Sequence, residues 1–154
     1  MRRKDKEVTE KSVIEKIIND AEFCRIALSN GNEPYIIPMN FGYKDGCVYM
    51  HSAKEGKKLD IMKANNNVCF QVESQVELLK DENPCGWSTR YYCVIGFGKA
   101  VIIDDIDEKR RALDIIMEKY TERPSHEYSE DALNKILAIK VELNSITCKK
   151  SGYN

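Results

Sequence analysis

Asn30-Gly31 and Lys44-Asp45-Gly46 constrain the fold of this chain more than any other feature. Asn-Gly between apolar segments is the strongest short-range hairpin signal, because both central residues of a type I′ turn need positive φ. The flanking segments, residues 23–29, 35–43 and 47–51, leave no room between them for a crossover helix, so they form an antiparallel meander. Pro38 in the second segment cannot donate to a ladder, which places it at a bulge or on an unpaired flank.

The remaining elements follow from periodicity. Residues 9–21 carry Val13, Ile14, Ile17, Ile18 and Ala21 at helical spacing, with Thr9 as the cap. A short helix over 56–64 presents Leu59, Ile61 and Met62 to a core and ends in Asn65-Asn66-Asn67. A strand over 68–73 extends toward Leu79, and residues 80–86 form a loop. A long strand covers 91–103, with Gly96 and Gly98 on one face where strong curvature is expected. Residues 107–120 form an amphipathic helix with the stripe Ala112, Leu113, Ile116, Met117, Tyr120. A polar connection at 123–129, a short helix at 130–134 and a strand at 136–143 complete the chain. Six strands with flanking helices predict an α+β, mainly antiparallel barrel in one domain spanning 1–154.

Charge and cysteine usage narrow the function. With 24 basic and 25 acidic residues the chain has no electrostatic footprint for nucleic acid. No apolar run follows the charged N-terminus and none is long enough to span a bilayer, so a cytoplasmic protein without membrane contact is expected. Four of the six cysteines (Cys24, Cys47, Cys69, Cys93) lie in apolar strands, where a thiol acts as a small hydrophobe. The absence of Cys-x-x-Cys pairs and Cys/His clusters argues against a metal site.

The stretch 49–60 is the candidate site. It runs from an apolar strand through His51 into a helix whose first turn carries Gly56, Lys57 and Lys58. Cations at a helix N-terminus oppose the dipole, and glycine in the same turn costs up to about 1 kcal/mol against alanine. Free N–H groups beside lysines form a phosphate cradle. A capping box of Ser52 and Glu55 with solvated lysines is the alternative, and both readings stand at this point. His51 directly precedes the cradle, whereas His126 sits in a polar loop. Gly96-Phe97-Gly98 is no dinucleotide fingerprint, since it lies within a strand and lacks the third glycine. Trp87, Tyr91 and Tyr92 flank a loop and serve either packing or stacking on a planar ligand.

Five blocks in order carry a resemblance: residues 38–43 (PMNFGY), 51–58 (HSA, Gly56, Lys58), 67–72 (NVCFQV), 85–91 (CGWS, Arg90, Tyr91) and 94–100 (VIG, Gly98, Ala100). The chain resembles the 5-nitroimidazole-resistance family within the pyridoxamine 5′-phosphate oxidase-like flavin-binding split barrels, over nearly its whole length. The resemblance implies a split-barrel homodimer with FMN at the subunit interface. Ser52, Lys57 and Lys58 would hold the phosphate, with Ala53 and Gly56 in the same segment. Met39, Asn40, Phe41, Met50 and His51 would border the flavin ring, and Gln71 would bond to it. Trp87, Arg90 and Tyr91 would come from the second subunit or shape the substrate pocket, and His51 would donate a proton. The implied activity is FMN-dependent reduction of a nitro compound with reduced nicotinamide, NADH or NADPH, as donor. The alternatives are a flavin- or haem-binding module without turnover and a pyridoxamine phosphate oxidase. Against the latter, Cys93 and Ile95 stand where those oxidases place polar contacts.

Overall fold

The computed structural model describes residues 2–123 and 126–153. Its elements are β1 (Glu7–Val8), α1 (Lys11–Asp20), β2 (Cys24–Asn30), β3 (Glu33–Met39), β4 (Gly42–Lys44), β5 (Cys47–Ala53), α2 (Lys57–Ala64), β6 (Asn67–Leu79), β7 (Ser88–Ile103), α3 (Ile106–Tyr120), α4 (Glu130–Asn134) and β8 (Ile136–Ser151). All pairings are antiparallel, in the order β3-β2-β6-β7-β8-β5-β4, with β1 added beside β8. The sheet curls without closing. Its two edges, β3 and β4, are consecutive in the chain and joined only through Asn40 and Phe41.

A hairpin joins β2 and β3 as expected, but its turn lies one residue later: Asn30 pairs with Glu33, the loop residues are Gly31 and Asn32, and of these only Gly31, at φ +61°, has positive φ, so the turn is not type I′. Pro38 lies on the edge strand β3, so its missing N–H interrupts no ladder. Two strands differ from expectation. The segment over 35–43 splits into β3 and β4, which raises the strand count to eight together with the two-residue β1. The last strand continues past Leu143 to Ser151, because a bulge leaves Asn144 without a partner between the Phe97–Ser145 and Gly98–Leu143 pairs. That extra residue shifts the alternation and conceals the rest of the strand from a period-2 reading. The short helix at 130–134 forms as expected. Of the connection before it, Pro124 and Ser125 lie outside the described residues.

The core fills the curl. Val48, Met50, Phe70, Val72, Val94, Ile139 and Val141 point inward from the sheet, while Ile17 and Ile18 of α1 and Leu59, Ile61 and Met62 of α2 cover the interior. α3 packs outside, with Ala112 against Ile103 and Ala138. Its buried Lys109 is satisfied by Asp104 Oδ1 at 2.6 Å and the Leu133 carbonyl at 3.1 Å, which anchors α4.

Two side chains at the end of α3 brace the gap between β3 and β4. The Tyr120 hydroxyl donates to the Glu22 carbonyl (2.8 Å) and accepts from the Phe41 N–H (3.1 Å). Lys119 Nζ donates to the Ile18 (3.2 Å) and Asn19 (2.5 Å) carbonyls, satisfying the C-terminal end of α1, and lies 4.5 Å from the centre of the Phe41 ring. Among the described residues, no helix is long and apolar enough to cross a membrane.

Candidate functional site

Strand alternation decides which residues face the site. On β5 the even residues Val48, Met50 and Ser52 are buried, and His51 and Ala53 face outward. His51 joins Ile37, Pro38, Met39 and Asn40 from the end of β3 and Lys58 from α2 to line an open groove of about 340 Å³. The groove therefore lies at the open edge of the sheet, where β3, β5 and the start of α2 meet.

Phe41 and Met50 require a correction. Both side chains are fully buried in the core, with Phe41 edge-on to Phe70 at a ring separation of 5.5 Å. Both apolar side chains pack into the core, so they support the groove from beneath. The capping box is also absent. α2 begins at Lys57 with Gly56 as its cap, at φ +135°, and no side chain bonds to its first N–H groups. Ser52 lies on the strand instead, 4% exposed, and its hydroxyl has no hydrogen-bond partner among the described residues.

An orphaned buried hydroxyl requires explanation, since such groups are nearly always paired. Ser52 stands at the end of β5, just before the turn into α2. The N–H groups of Lys57 and Lys58 likewise have no partner among the described residues, as expected for a helix start. Leu59 and Asp60 N–H both bond the Gly56 carbonyl, at 2.9 and 3.3 Å. The two lysines differ. Lys57 Nζ is drawn to Glu33 (3.2 Å) and lies 5.0 Å from the centre of the Tyr35 ring, whereas Lys58 borders the groove beside His51.

His51 is held below its ordinary pKa, first by partial desolvation and then by the Lys58 ammonium. The neutral imidazole therefore predominates near pH 7. In an NMR titration His51 should show a midpoint below 6.5, and Lys58→Met should raise it without full recovery, since desolvation remains. A midpoint unmoved by Lys58→Met would show that the two groups are not coupled.

The other expected residues lie elsewhere. Gln71 faces outward on β6, accepting from Arg25 Nη1 (3.4 Å) and donating to Cys93 Sγ (3.6 Å). Tyr91 lines a second cavity with Cys93. Trp87 and Arg90 sit on the arm formed by the ends of β6 and β7, beyond the irregularity between Ser74 and Glu77. Trp87 donates to the Asp81 carbonyl at 2.6 Å, and Arg90 pairs with Glu77 beside the Tyr153 ring. In one chain, then, the groove gathers Met39, Asn40, His51 and Lys58, with Ser52, Gly56 and Lys57 at the adjoining turn. Arg25 and Glu73 were missed. The only sequence signal was a lone charge in an otherwise apolar strand, Phe23 to Leu28.

The model of the family described as pyridoxamine 5′-phosphate oxidase matches residues 10–150. No curated protein sequence matches the chain. Among solved structures, the chain is similar to a protein from Bacteroides thetaiotaomicron named as a candidate 5-nitroimidazole antibiotic resistance protein. The two are 36% identical with a TM-score of 0.83, over 94% of this chain and 86% of that one. An FAD and haem binding protein from Mycobacterium smegmatis shares the fold at 18% identity and TM-score 0.85, over 96% and 74% of the two chains. A flavocytochrome from Azotobacter vinelandii does so at 15% identity and TM-score 0.81, over 99% and 72%.

Proposed function

The chain belongs to the pyridoxamine 5′-phosphate oxidase family, and on that premise we propose that it is an FMN-dependent oxidoreductase reducing small nitro compounds with electrons from NADH or NADPH. The observation that carries this reading is the orphaned Ser52 hydroxyl near the end of β5, in the same short segment as the unpartnered first N–H groups of α2 and as Lys58, which lines the groove with His51. Those donors fit a phosphate monoester: neutral N–H and O–H groups with adjacent positive charge and no carboxylate lining the groove. When bound, FMN would supply the electron-transfer chemistry.

The chain's own residues bind, orient and move protons. Ser52, Lys58 and the α2 N–H groups hold the phosphate, with Lys57 adding charge at the rim. Met39 and Asn40 form the wall of the groove that faces His51. His51 delivers a proton from its ring nitrogen to the substrate being reduced. With its pKa depressed, the protonated form is available mainly on the acid side, so a rate that depends on it declines as pH rises through that value.

The proposed form is a homodimer, supported by an apolar patch on the outer face of the sheet. Ile36 is 61% and Phe97 55% exposed, and both lie in one outward row through the register Ile36–Ala27 and Ala27–Cys69–Phe97. Ile95 and Val101 extend the apolar surface along β7. Monomers rarely expose such contiguous patches, which supports a second copy covering this one.

The purified protein should be yellow or become so with FMN, should bleach anaerobically with one nicotinamide, and should recover colour on adding a nitroimidazole. A preparation that gains no flavin bands would refute the reading. Bound flavin that neither nicotinamide reduces would make the chain a storage module.

A further inference from the structure

The arm of β6 and β7 begins at a β-bulge. Ser74 pairs with Tyr92 and Glu77 with Arg90, so β6 takes three steps where β7 takes two, and Gln75 and Val76 together stand opposite Tyr91. Gln75 sits at φ +54°, the left-handed region that glycine usually fills at the first position of such a bulge. A non-glycine residue persists there only where its surroundings over-determine it.

Those surroundings come from the residues that follow β8. Gly152, at φ +72°, brings the chain so close to β7 that a Cβ would lie 2.5 Å from the Arg90 Cβ. Tyr153 then stacks on Tyr92, with ring centres 4.7 Å apart and planes 22° from parallel. Its hydroxyl donates to the Gln75 carbonyl at 2.7 Å. The Arg90 guanidinium lies 5.2 Å from the centre of the Tyr153 ring and pairs with Glu77 just past the bulge. Tyr153 therefore grips both strands at the root of the arm, through Tyr92 and Arg90 on β7 and through Gln75 on β6.

The bulge decides which side chains the arm shows. Glu73 and Val76 line one cavity although they are three residues apart, a spacing that puts residues of a regular strand on opposite faces. Beyond the bulge Val76 and Leu78 are exposed, and Leu79 turns the other way, toward Gly152. Without the extra residue the strand would slip by one and exchange the two sets, bringing Glu77 and Leu79 to the outer side.

We propose that Tyr153 is a clasp that holds Gln75 in its left-handed conformation and so locks the arm in the register that turns Val76 and Leu78 outward. With the clasp gone, the strain at Gln75 is uncompensated and the arm opens locally, while the rest of the sheet stays paired. The clasp does not rest on the function proposed above.

Amide hydrogen exchange of the full-length protein, read residue by residue by NMR, tests it. Tyr153→Phe keeps the stack and loses the bond to Gln75. It should speed exchange over the paired arm residues 77–79 and 88–90 by about threefold to tenfold, the scale of one hydrogen bond. Tyr153→Ala removes the stack as well and should speed it by roughly a further tenfold. Exchange in β2 and β5 should stay parental in both, since the opening is local. Gln75→Gly tests the strain through its sign. Glycine weakens an ordinary strand position, whereas at a left-handed one it removes the steric cost. Adding Gln75→Gly to Tyr153→Ala should therefore slow arm exchange again by about threefold. Parental arm exchange in Tyr153→Ala, faster exchange on adding Gln75→Gly, or a loss of protection shared equally by β2 and β5 would overturn the proposal.

Discussion

Lys57→Ala combined with Lys58→Ala is expected to weaken FMN binding by more than tenfold, with most of the loss from Lys58. Contacts to a charged phosphate contribute roughly 1.5–3 kcal/mol each, and 1.4 kcal/mol is a factor of ten. The two lysines should not contribute equally. Lys57 is half-exposed and already shared between Glu33 and the Tyr35 ring, so a phosphate must compete for it. Lys58 borders the groove, and no carboxylate lies among the residues that line it with Lys58. Lys58→Met alone should therefore account for most of the effect, and Lys57→Ala for about threefold or less. Flavin fluorescence during titration reads the affinities, and raised salt should narrow the gap between parent and variants. A double variant with parental affinity would refute the cradle, and a Lys57→Ala loss exceeding that of Lys58→Met would reverse their roles.

The parts legible in advance were those governed by local chemistry. Gly31 marks the hairpin because the turn needs positive φ at that residue, and the 3.6-residue spacing of Val13, Ile14, Ile17 and Ile18 marks α1 without any tertiary information. The segment proposed as a phosphate cradle stands out for a similar reason, since lysines and glycine in a first helical turn run against propensity. Side-chain facing near strand ends was less legible. Phe41 reads as part of a continuous strand until the chain breaks at Asn40, and the break points it into the core. Ser52 looked like a cap because it precedes a helix, yet β5 continues through Ala53 and makes it an inward strand residue. Arg25 could not have been placed beside Pro38 and Gln71, because that adjacency depends on pairings with two different strands. Register of this kind is a property of the assembled sheet, not of any local window.

Gly42→Ala is expected to be the most damaging single methyl addition near the groove. A Cβ at this position would overlap the backbone of α3, well inside van der Waals distance of the Ile115 carbonyl and 2.8 Å from the Ile116 nitrogen. Neither atom belongs to a side chain that can rotate away, so β4 and α3 must separate. Overpacking against backbone places the cost at about 3 kcal/mol or more. For a chain of this size that corresponds to a fall in Tm of roughly 10 °C. Gly31→Ala is the control. Nothing lies within 4 Å of its added methyl, and only the positive φ of +61° opposes it, so the loss should be about 1–2 kcal/mol. The two variants should also differ in function. Gly42 follows Asn40 and Phe41 in the segment that crosses the gap, and the Phe41 N–H is held by Tyr120 of α3. Displacing α3 from β4 therefore moves the wall of the groove, and FMN affinity should fall in Gly42→Ala but not in Gly31→Ala. Urea unfolding followed by circular dichroism, with flavin titration of the same samples, makes the comparison. Equal stability losses in the two variants would mean that α3 does not rest on the β4 backbone, and would release the groove from the bracing attributed to it.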